Sequence, residues 1–359
     1  MILDELTEFS NFYGSFHNLV LAGGGNTSAK DGNTMYIKGS GTALATIKPE
    51  EFVRMDRTKL AEIFTKTYPD DDKEREALSL ADLYASMEPG QEGKRPSVET
   101  TLHSLFEYKF VLHLHPTLVN GLTCSMNGKE ICEKLFGDDV LWIEPCRPGY
   151  ILAKICKDAM DAYKAKQGKS CDKILLANHG VFVAADTVPE LGTKLKKICD
   201  AIENKVVQEP EFFDFFFCDK ETTDIIYETL GGVVKNVLDV EPQMYTTNPE
   251  ELMRPFTPDH IVYCKAYPLF VKSYKDIPEA VENYKAKYGY PPKVFIVYDT
   301  AIVVRGENEN DCNTTMDFVC DASRIAVYSR SFGGPRYMSE ELTDFIVNWE
   351  AEAYRSKKR

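Results

Sequence analysis

Strand-like and helix-like segments alternate over the first part of this sequence, and this alternation limits the possible folds more than any other feature. Apolar residues have helical spacing at residues 3–13, 98–106 and about 151–166, whereas "TMYIK", "FVLHLHP" and "DKILLA" are typical of strands. Strands that alternate with helices favour a layered α/β domain, which we expect to end near residue 210.

The rest of the chain, residues 211–359, has the composition of a folded segment rather than of a linker. It begins with the aromatic run "EFFDFFF", contains the strand-like segment "KVFIVYD" at 293–299 and ends in a helix. We expect it to form a smaller α/β extension. Its role stays open, since it can cover the sheet, contribute to assembly or narrow the entrance to a site.

The overall composition excludes several classes of protein. Hydrophobic residues make up 43% and charged residues 27% of the chain, which is typical of a folded soluble protein. The net charge of −14 argues against a nucleic-acid partner, because phosphates bind basic surfaces. The sequence has no long apolar stretch and no secretory signal pattern, and its ten cysteines form no Cys-x-x-Cys pair. We therefore expect a cytoplasmic protein without a membrane segment.

Two histidines in the apolar run "FVLHLHP" are the main chemical signal. His113 and His115 are two residues apart, so on a strand their side chains point to the same face. His179 follows another strand-like run, and Gly180 after it is a place where the chain can turn. Three neutral imidazoles with one open position are typical of a catalytic Zn²⁺ site, but a His-x-His pair alone is equally typical of hydrogen-bonded strand histidines.

Glu99 begins the helix that precedes the histidine strand, a position that suits a carboxylate held beside a metal ion. The alternative is a carboxylate that is only stabilised by the dipole at the helix N-terminus. His103 follows four residues later and shares the same helix face. We interpret His103 as a structural residue near the site rather than as a ligand.

Two glycine-rich loops, "GGGNTS" and "KGSG", are candidates for an anion site. They follow the apolar run Leu19–Ala22 and the strand "TMYIK", which together predict a hairpin-like pair. Their backbone N–H groups, with Asn26, Ser40 and Gly41, can form a concavity that receives phosphate, although glycine-rich turns without a ligand have the same pattern. The fingerprints of dinucleotide-binding and P-loop proteins are absent from the sequence.

Five motifs, "GGGNTS", "KGSG", "RPSVETTLH", "HLHP" and "LLANHG", occur in an order that resembles the class II aldolase and adducin family. The resemblance covers roughly residues 5–210 and implies a three-layer αβα catalytic domain at 1–210, followed by the extension at 211–359. The segments "FTPDHIV", "PLFV" and "NWEAEAY" also resemble the part that follows the aldolase domain in bifunctional rhamnulose-phosphate aldolase and alcohol dehydrogenase proteins.

This resemblance implies a role for individual residues. Zn²⁺, or another divalent cation, would be bound by His113, His115 and His179, and Glu99 would be the catalytic acid and base. The phosphate of a small sugar phosphate would be bound at positions that match the phosphate pocket of the family, namely Gly25, Asn26, Ser40, Gly41 and Ser97. Val98 stands where shorter aldolases often have a second serine. A homotetramer is also implied.

The reaction implied by the resemblance is reversible cleavage of a ketose 1-phosphate, similar to rhamnulose or fuculose 1-phosphate. Its products would be dihydroxyacetone phosphate and an aldehyde such as lactaldehyde. A metal-dependent decarboxylase or epimerase of a sugar phosphate or sugar-acid phosphate is an alternative, because its reaction passes through the same stabilised enediolate. A non-catalytic, adducin-like interaction module is a further alternative; it predicts missing ligands, whereas this sequence retains the three histidines and the carboxylate.

Overall fold

The computed structural model describes residues 2–210, 220–237, 249–298 and 300–349. These residues divide into two compact units, one within Met1–Val119 and Lys129–Asn204 and the other within Asn120–Gly128 and Lys205–Arg359. Residues 120–128, which we expected in the first domain, thus belong to the second unit. The aromatic run at 211–217 and the end of "NWEAEAY" lie outside the described residues. Within those residues, no helix is both long and apolar enough to cross a membrane.

The first unit contains a seven-stranded sheet. Its strands are β1 Asn26–Asp31, β2 Thr34–Lys38, β3 Phe52–Asp56, β4 Phe110–Leu114, β5 Leu141–Ile143, β6 Lys173–Leu176 and β7 Gly180–Ala185. They lie in the order β3-β2-β1-β4-β7-β6-β5. Neighbouring strands are antiparallel except for β5 and β6, which are parallel. The helices up to Glu203 are α1 Ile2–Gly14, α2 Arg57–Ile63, α3 Asp72–Ala85, α4 Thr100–Leu105, α5 Thr117–Thr123, α6 Gly128–Phe136, α7 Tyr150–Gln167 and α8 Val188–Glu203.

Helices cover both faces of this sheet. On β4, successive side chains point to opposite faces. Phe110 meets the ring of Phe9 from α1 at a centroid distance of 5.7 Å. Val111 points the other way, into a core cluster that contains Leu102 of α4 and Leu152 of α7. The expected three-layer αβα architecture is therefore confirmed.

One predicted strand pairing is wrong. We predicted a hairpin-like pair between Leu19–Ala22 and "TMYIK", but β2 pairs instead with β1, whose sequence is the polar "NTSAKD". Although polar, β1 is almost entirely buried, because side chains from other elements satisfy its hydrogen bonds. Thr27 Oγ1, for example, lies 2.7 Å from Ser10 Oγ of α1. A strand stabilised in this way has no apolar alternation from which it can be predicted.

The second unit contains a four-stranded sheet. Its strands are β8 Val233–Asn236, β9 Leu269–Val271, β10 Val294–Val297 and β11 Ala301–Gly306, in the order β8-β11-β10-β9. The helices of its described part from residue 220 onward are α9 Lys220–Leu230, α10 Pro258–Cys264, α11 Ile277–Tyr288, α12 Glu309–Arg330 and α13 Glu340–Val347. Ile226, Ile277 and Phe295 share one core cluster, which joins α9 and α11 to the sheet. The expected α/β extension is confirmed.

Candidate metal and acid-base site

Three histidine side chains converge in the middle of the first sheet, at the end of β4 and the start of its neighbour β7. His113 lies on β4, His115 just after it, and His179 in the turn between β6 and β7. Each contributes one ring nitrogen to a group in which all such atoms lie within 4.8 Å of one another. The Nε2 atoms of His113 and His115 are 2.9 Å apart, and the His179 ring centroid is 5.0 Å from each of the other two. The structure thus brings together three nitrogen donors that can hold a metal ion.

The position of the proton on His113 follows from its surroundings. Its Nδ1 lies 3.0 Å from the carbonyl oxygen of Val181, and because a carbonyl only accepts, Nδ1 carries the hydrogen. The ring is fully buried, and burial lowers the pKa of His113 well below its usual value, so the imidazole is neutral. Its Nε2 lone pair therefore faces the other two histidines. A backbone carbonyl that orients a histidine in this way is typical of metal ligands.

The turn that carries His179 differs from the one we expected. Gly180 was taken as the turning point, but it is the first residue of β7, and the left-handed residue is Asn178, with φ of +55°. Gly180 has another function, because a Cβ atom there would lie 2.3 Å from the carbonyl oxygen of Leu114 and 2.8 Å from Cδ2 of His115. The absence of a side chain at Gly180 thus lets β7 approach the histidine strand closely.

Glu99 places its carboxylate against this histidine cluster. Its Oε2 lies 3.3 Å from Nε2 of His113, and its Oε1 lies 3.5 Å from Nε2 of His179. The side chain makes no capping hydrogen bond to α4, so the alternative of a simple helix-terminal carboxylate has no contact in its favour. Burial raises the pKa of Glu99, whereas the adjacent histidines and a hydrogen bond from Asn26 lower it, and the net shift is downward. The group is therefore an ionised base.

The donor set fits a divalent cation. Ring nitrogens of three histidines and a carboxylate face one another, and the buried Oε1 of Glu99 has no hydrogen-bond partner among the described residues. A positive ion at such a place compensates charge that would otherwise destabilise the fold. His115 and His179 are only partly buried, so the cluster is open to solvent on one side.

The glycine loop "KGSG" lies against the segment before Glu99. The amide of Ser40 donates to the carbonyl oxygen of Arg95 at 2.8 Å, and the amide of Ser97 donates to that of Lys38 at 3.1 Å. These bonds place Ser40 and Ser97 on neighbouring segments, and Gly41 beside Ser40 has φ of +83°. The hydroxyl groups of Ser40 and Ser97 are thus carried by adjoining segments, one of which continues into Glu99.

Gly25 and Asn26 link the other glycine loop to the metal ligands. Gly25 has φ of +57°, and a Cβ atom there would lie 2.7 Å from the carbonyl oxygen of His113. The side chain of Asn26 is directed to Glu99, with its Nδ2 donating to Oε2 at 2.6 Å, and its Oδ1 contacts Nε2 of His103. Sequence reasoning assigned Asn26 to phosphate and missed these contacts, because they depend on recognising β1 as a strand.

His103 is a neighbour of the site and does not belong to the nitrogen cluster that can hold a metal. It is fully buried, and its Nδ1 lies 2.7 Å from Oγ of Ser28. Burial lowers the pKa of His103 to about 3, with Lys30 acting in the same direction and Glu99 opposing. Ser28 was not among the expected site residues; its signal was the alternation of Asn26 and Ser28 on one strand face.

Known proteins resemble this chain mainly in its first unit. A family model described as "Class II Aldolase and Adducin N-terminal domain" matches residues 5–203. The "Uncharacterized oxidoreductase YuxG" of Bacillus subtilis is 26% identical over 300 residues, which cover 75% of this chain and 42% of that protein. The chain therefore spans less than half the length of this curated relative.

Two solved structures cover a similar region. The N-terminal class II aldolase domain of a conserved protein from Thermoplasma acidophilum is 29% identical with a TM-score of 0.47, covering 56% of this chain and 92% of that one. An L-fuculose-1-phosphate aldolase from Thermus thermophilus is 14% identical with a TM-score of 0.37, covering 56% and 92%. The family match spans more than half of the chain and includes Glu99 and the histidine cluster. The chain belongs to the class II aldolase and adducin family.

Proposed function

We propose that this chain is a metal-dependent aldolase that reversibly cleaves a ketose 1-phosphate to dihydroxyacetone phosphate and an aldehyde such as lactaldehyde. The observation that carries the proposal is the contact of the Glu99 carboxylate with His113 and His179, at 3.3 and 3.5 Å. Burying a carboxylate against the fully buried His113 destabilises a fold unless a bound ion compensates the charge. A non-catalytic interaction module has no need of such a cluster.

We infer that His113, His115 and His179 hold one Zn²⁺ or another divalent cation. Their three nitrogens leave a position open on the solvent side, since His115 and His179 are partly exposed. When bound, such a cation supplies Lewis acidity, which stabilises negative charge next to a carbonyl group.

Glu99 is the residue that moves the proton in this proposal. In the direction of synthesis its carboxylate accepts the proton from the carbon next to the ketone, and in the direction of cleavage it returns that proton. The lowered pKa of Glu99 is consistent with the first role, because an ionised carboxylate has a lone pair that can accept the proton. The burial of Glu99 supports the return of the proton in the direction of cleavage, because water is kept away from the protonated carboxyl group.

The two glycine loops bind the phosphate in this proposal. Backbone N–H groups at Gly25 and Gly41, with the hydroxyl groups of Ser40 and Ser97, form the anion pocket beside Asn26. The hydrogen bond from the Glu99 amide to Ser97 Oγ, at 3.3 Å, ties this pocket to the proton-transfer residue. Binding of the phosphate therefore fixes the distance of the reacting carbon from Glu99.

Family membership supports three further parts of the proposal. The catalytic domain comprises residues 1–210, of which 120–128 belong to the second compact unit, and the extension comprises residues 211–359. The working form is a cytoplasmic homo-oligomer, a tetramer by resemblance to related aldolases. The substrate is a small phosphorylated sugar.

A panel assay tests the reaction. The purified full chain, loaded with Zn²⁺, is incubated with rhamnulose and fuculose 1-phosphates and with sugar-acid phosphates, while aldehyde, dihydroxyacetone phosphate and CO₂ are measured. We expect aldehyde and dihydroxyacetone phosphate in equal amounts, and no release after chelation. Release of CO₂ would contradict the aldolase proposal and favour a decarboxylase. Epimerisation without cleavage would favour an epimerase. A metal-free chain that turns over none of these compounds would support the interaction module.

A further inference from the structure

A chain of hydrogen bonds leads from Ser28 to the Glu99 carboxylate. Ser28 Oγ lies 2.7 Å from Nδ1 of His103, whose Nε2 contacts Oδ1 of Asn26. Nδ2 of Asn26 in turn donates to Oε2 of Glu99 at 2.6 Å. All four side chains are buried, with exposed fractions between 0% and 6%. We call these three contacts the relay.

Every proton in the relay has one position that is consistent with its neighbours. Nδ2 of Asn26 donates to Oε2 of Glu99, so the amide oxygen of Asn26 faces His103. That oxygen only accepts, so Nε2 of His103 carries a hydrogen. A neutral imidazole then has its lone pair on Nδ1, which accepts from the Ser28 hydroxyl.

The relay makes the two oxygens of Glu99 different. Oε2 receives the Asn26 donor, whereas Oε1 has no hydrogen-bond partner in the described part of the chain and lies 3.5 Å from Nε2 of His179. An oxygen that already accepts a short hydrogen bond is the poorer base of the two. The oxygen with the free lone pairs is therefore Oε1.

We propose that His103 is a positioning residue that, together with Ser28, fixes the Asn26 amide so that Oε1 of Glu99 exchanges the substrate proton. This inference rests on the proposed function. If His103 moved its hydrogen to Nδ1, the Asn26 amide would turn over and place its oxygen against Oε2 of Glu99. Two acceptors at hydrogen-bond distance repel each other, so the carboxylate would leave its position.

The tautomer of His103 can be measured without substrate. Nitrogen-15 NMR of the imidazole groups in the full chain, with the His103 signals assigned by their absence in His103→Gln, separates the two neutral tautomers and the charged form. We expect the Nε2–H tautomer in the wild type at neutral pH. The Nδ1–H tautomer or a charged ring would overturn the proposal, whether or not the protein is an aldolase.

Two serine substitutions test the effect of the relay. Ser28→Ala removes the donor to His103, and Ser10→Ala is the matched control, since Ser10 is also fully buried and contacts Thr27 on the opposite face of β1. We expect Ser28→Ala to leave the His103 ring less firmly oriented and to lower kcat about tenfold with KM and metal content unchanged, a size typical of residues that orient a functional group. Ser10→Ala should leave kcat unchanged.

The possible outcomes separate the two proposals. Equal kcat values for Ser28→Ala and Ser10→Ala would overturn the positioning role of the relay, even with an active enzyme. A wild type that shows the Nε2–H tautomer but no turnover would overturn the proposed function and leave the proton order of the relay supported.

Discussion

Nε2 of His113 lies 3.3 Å from Oε2 of Glu99, although the two residues come from different elements of the first unit. His113 is on β4, and its cross-strand partner on β1 is Asn26, which donates to the same carboxylate oxygen. The carboxylate thus lies over a pair of residues that the sheet itself holds in register. The position of Glu99 therefore depends on the β1–β4 pairing rather than on a flexible loop.

Replacing Glu99 by Gln tests its role as the proton carrier. The amide has the same shape but cannot accept the substrate proton, so we expect kcat to fall by roughly 10²- to 10⁴-fold. Metal content should be unchanged, because the three histidines remain. Glu107→Gln is the control, since Glu107 is an exposed carboxylate just beyond α4 that pairs with Lys164. Equal activity of the two variants would contradict the assignment.

Gly25 and Gly32 form a matched pair at the two ends of β1. Both have positive φ, +57° and +55°, so alanine strains the backbone by roughly 1–2 kcal/mol at each. Only at Gly25 does a Cβ atom also meet the carbonyl oxygen of His113, at 2.7 Å, whereas nothing lies within 4 Å at Gly32. We expect Gly25→Ala to have the lower urea midpoint and the weaker metal binding. Equal decreases of the urea midpoint and of metal binding in the two variants would show that the close approach to His113 has no effect.

Lys30 predicts a specific pH dependence of stability. Burial, with Arg57 acting in the same direction and Asp186 opposing, lowers the pKa of Lys30 from 10.5 to about 7. Between these values the unfolded chain binds the proton and the folded chain does not, so the free energy of unfolding rises with pH across this window. Lys30→Met removes this contribution. The free energy of unfolding, measured with urea at pH 7, 8 and 9, should therefore rise more for the wild type than for Lys30→Met. An equal rise in the two proteins would contradict the lowered pKa of Lys30.

The strands and helices that could be predicted are those with a clear apolar pattern. The helix at 3–13 appears as α1, and the strand in "FVLHLHP" appears as β4. The polar β1 could not be predicted, because hydrogen bonds to residues distant in sequence, such as Ser10 and His103, hold it in the core. The helix expected over 98–106 is also shorter, since α4 has only six residues.

The candidate site, too, could be predicted only in part from the sequence. Spacing alone places His113 and His115 on one face of a strand. The approach of His179 depends on the pairing of Leu114 with Val181, a contact between β4 and β7 that no local pattern indicates. The resemblance of the motifs supplied that step. The contacts of Asn26 with His103 and Glu99 were found only in the structure.

The most direct test of this account is the metal content of three purified chains after dialysis into metal-free buffer, measured by elemental analysis. We predict about one divalent ion per chain in the wild type and in His17→Ala, whose exposed side chain lies outside the nitrogen cluster, and a loss of the ion in His179→Ala. A wild type that binds no divalent ion when Zn²⁺ is added, or a His179→Ala variant that retains it, would contradict the central claim.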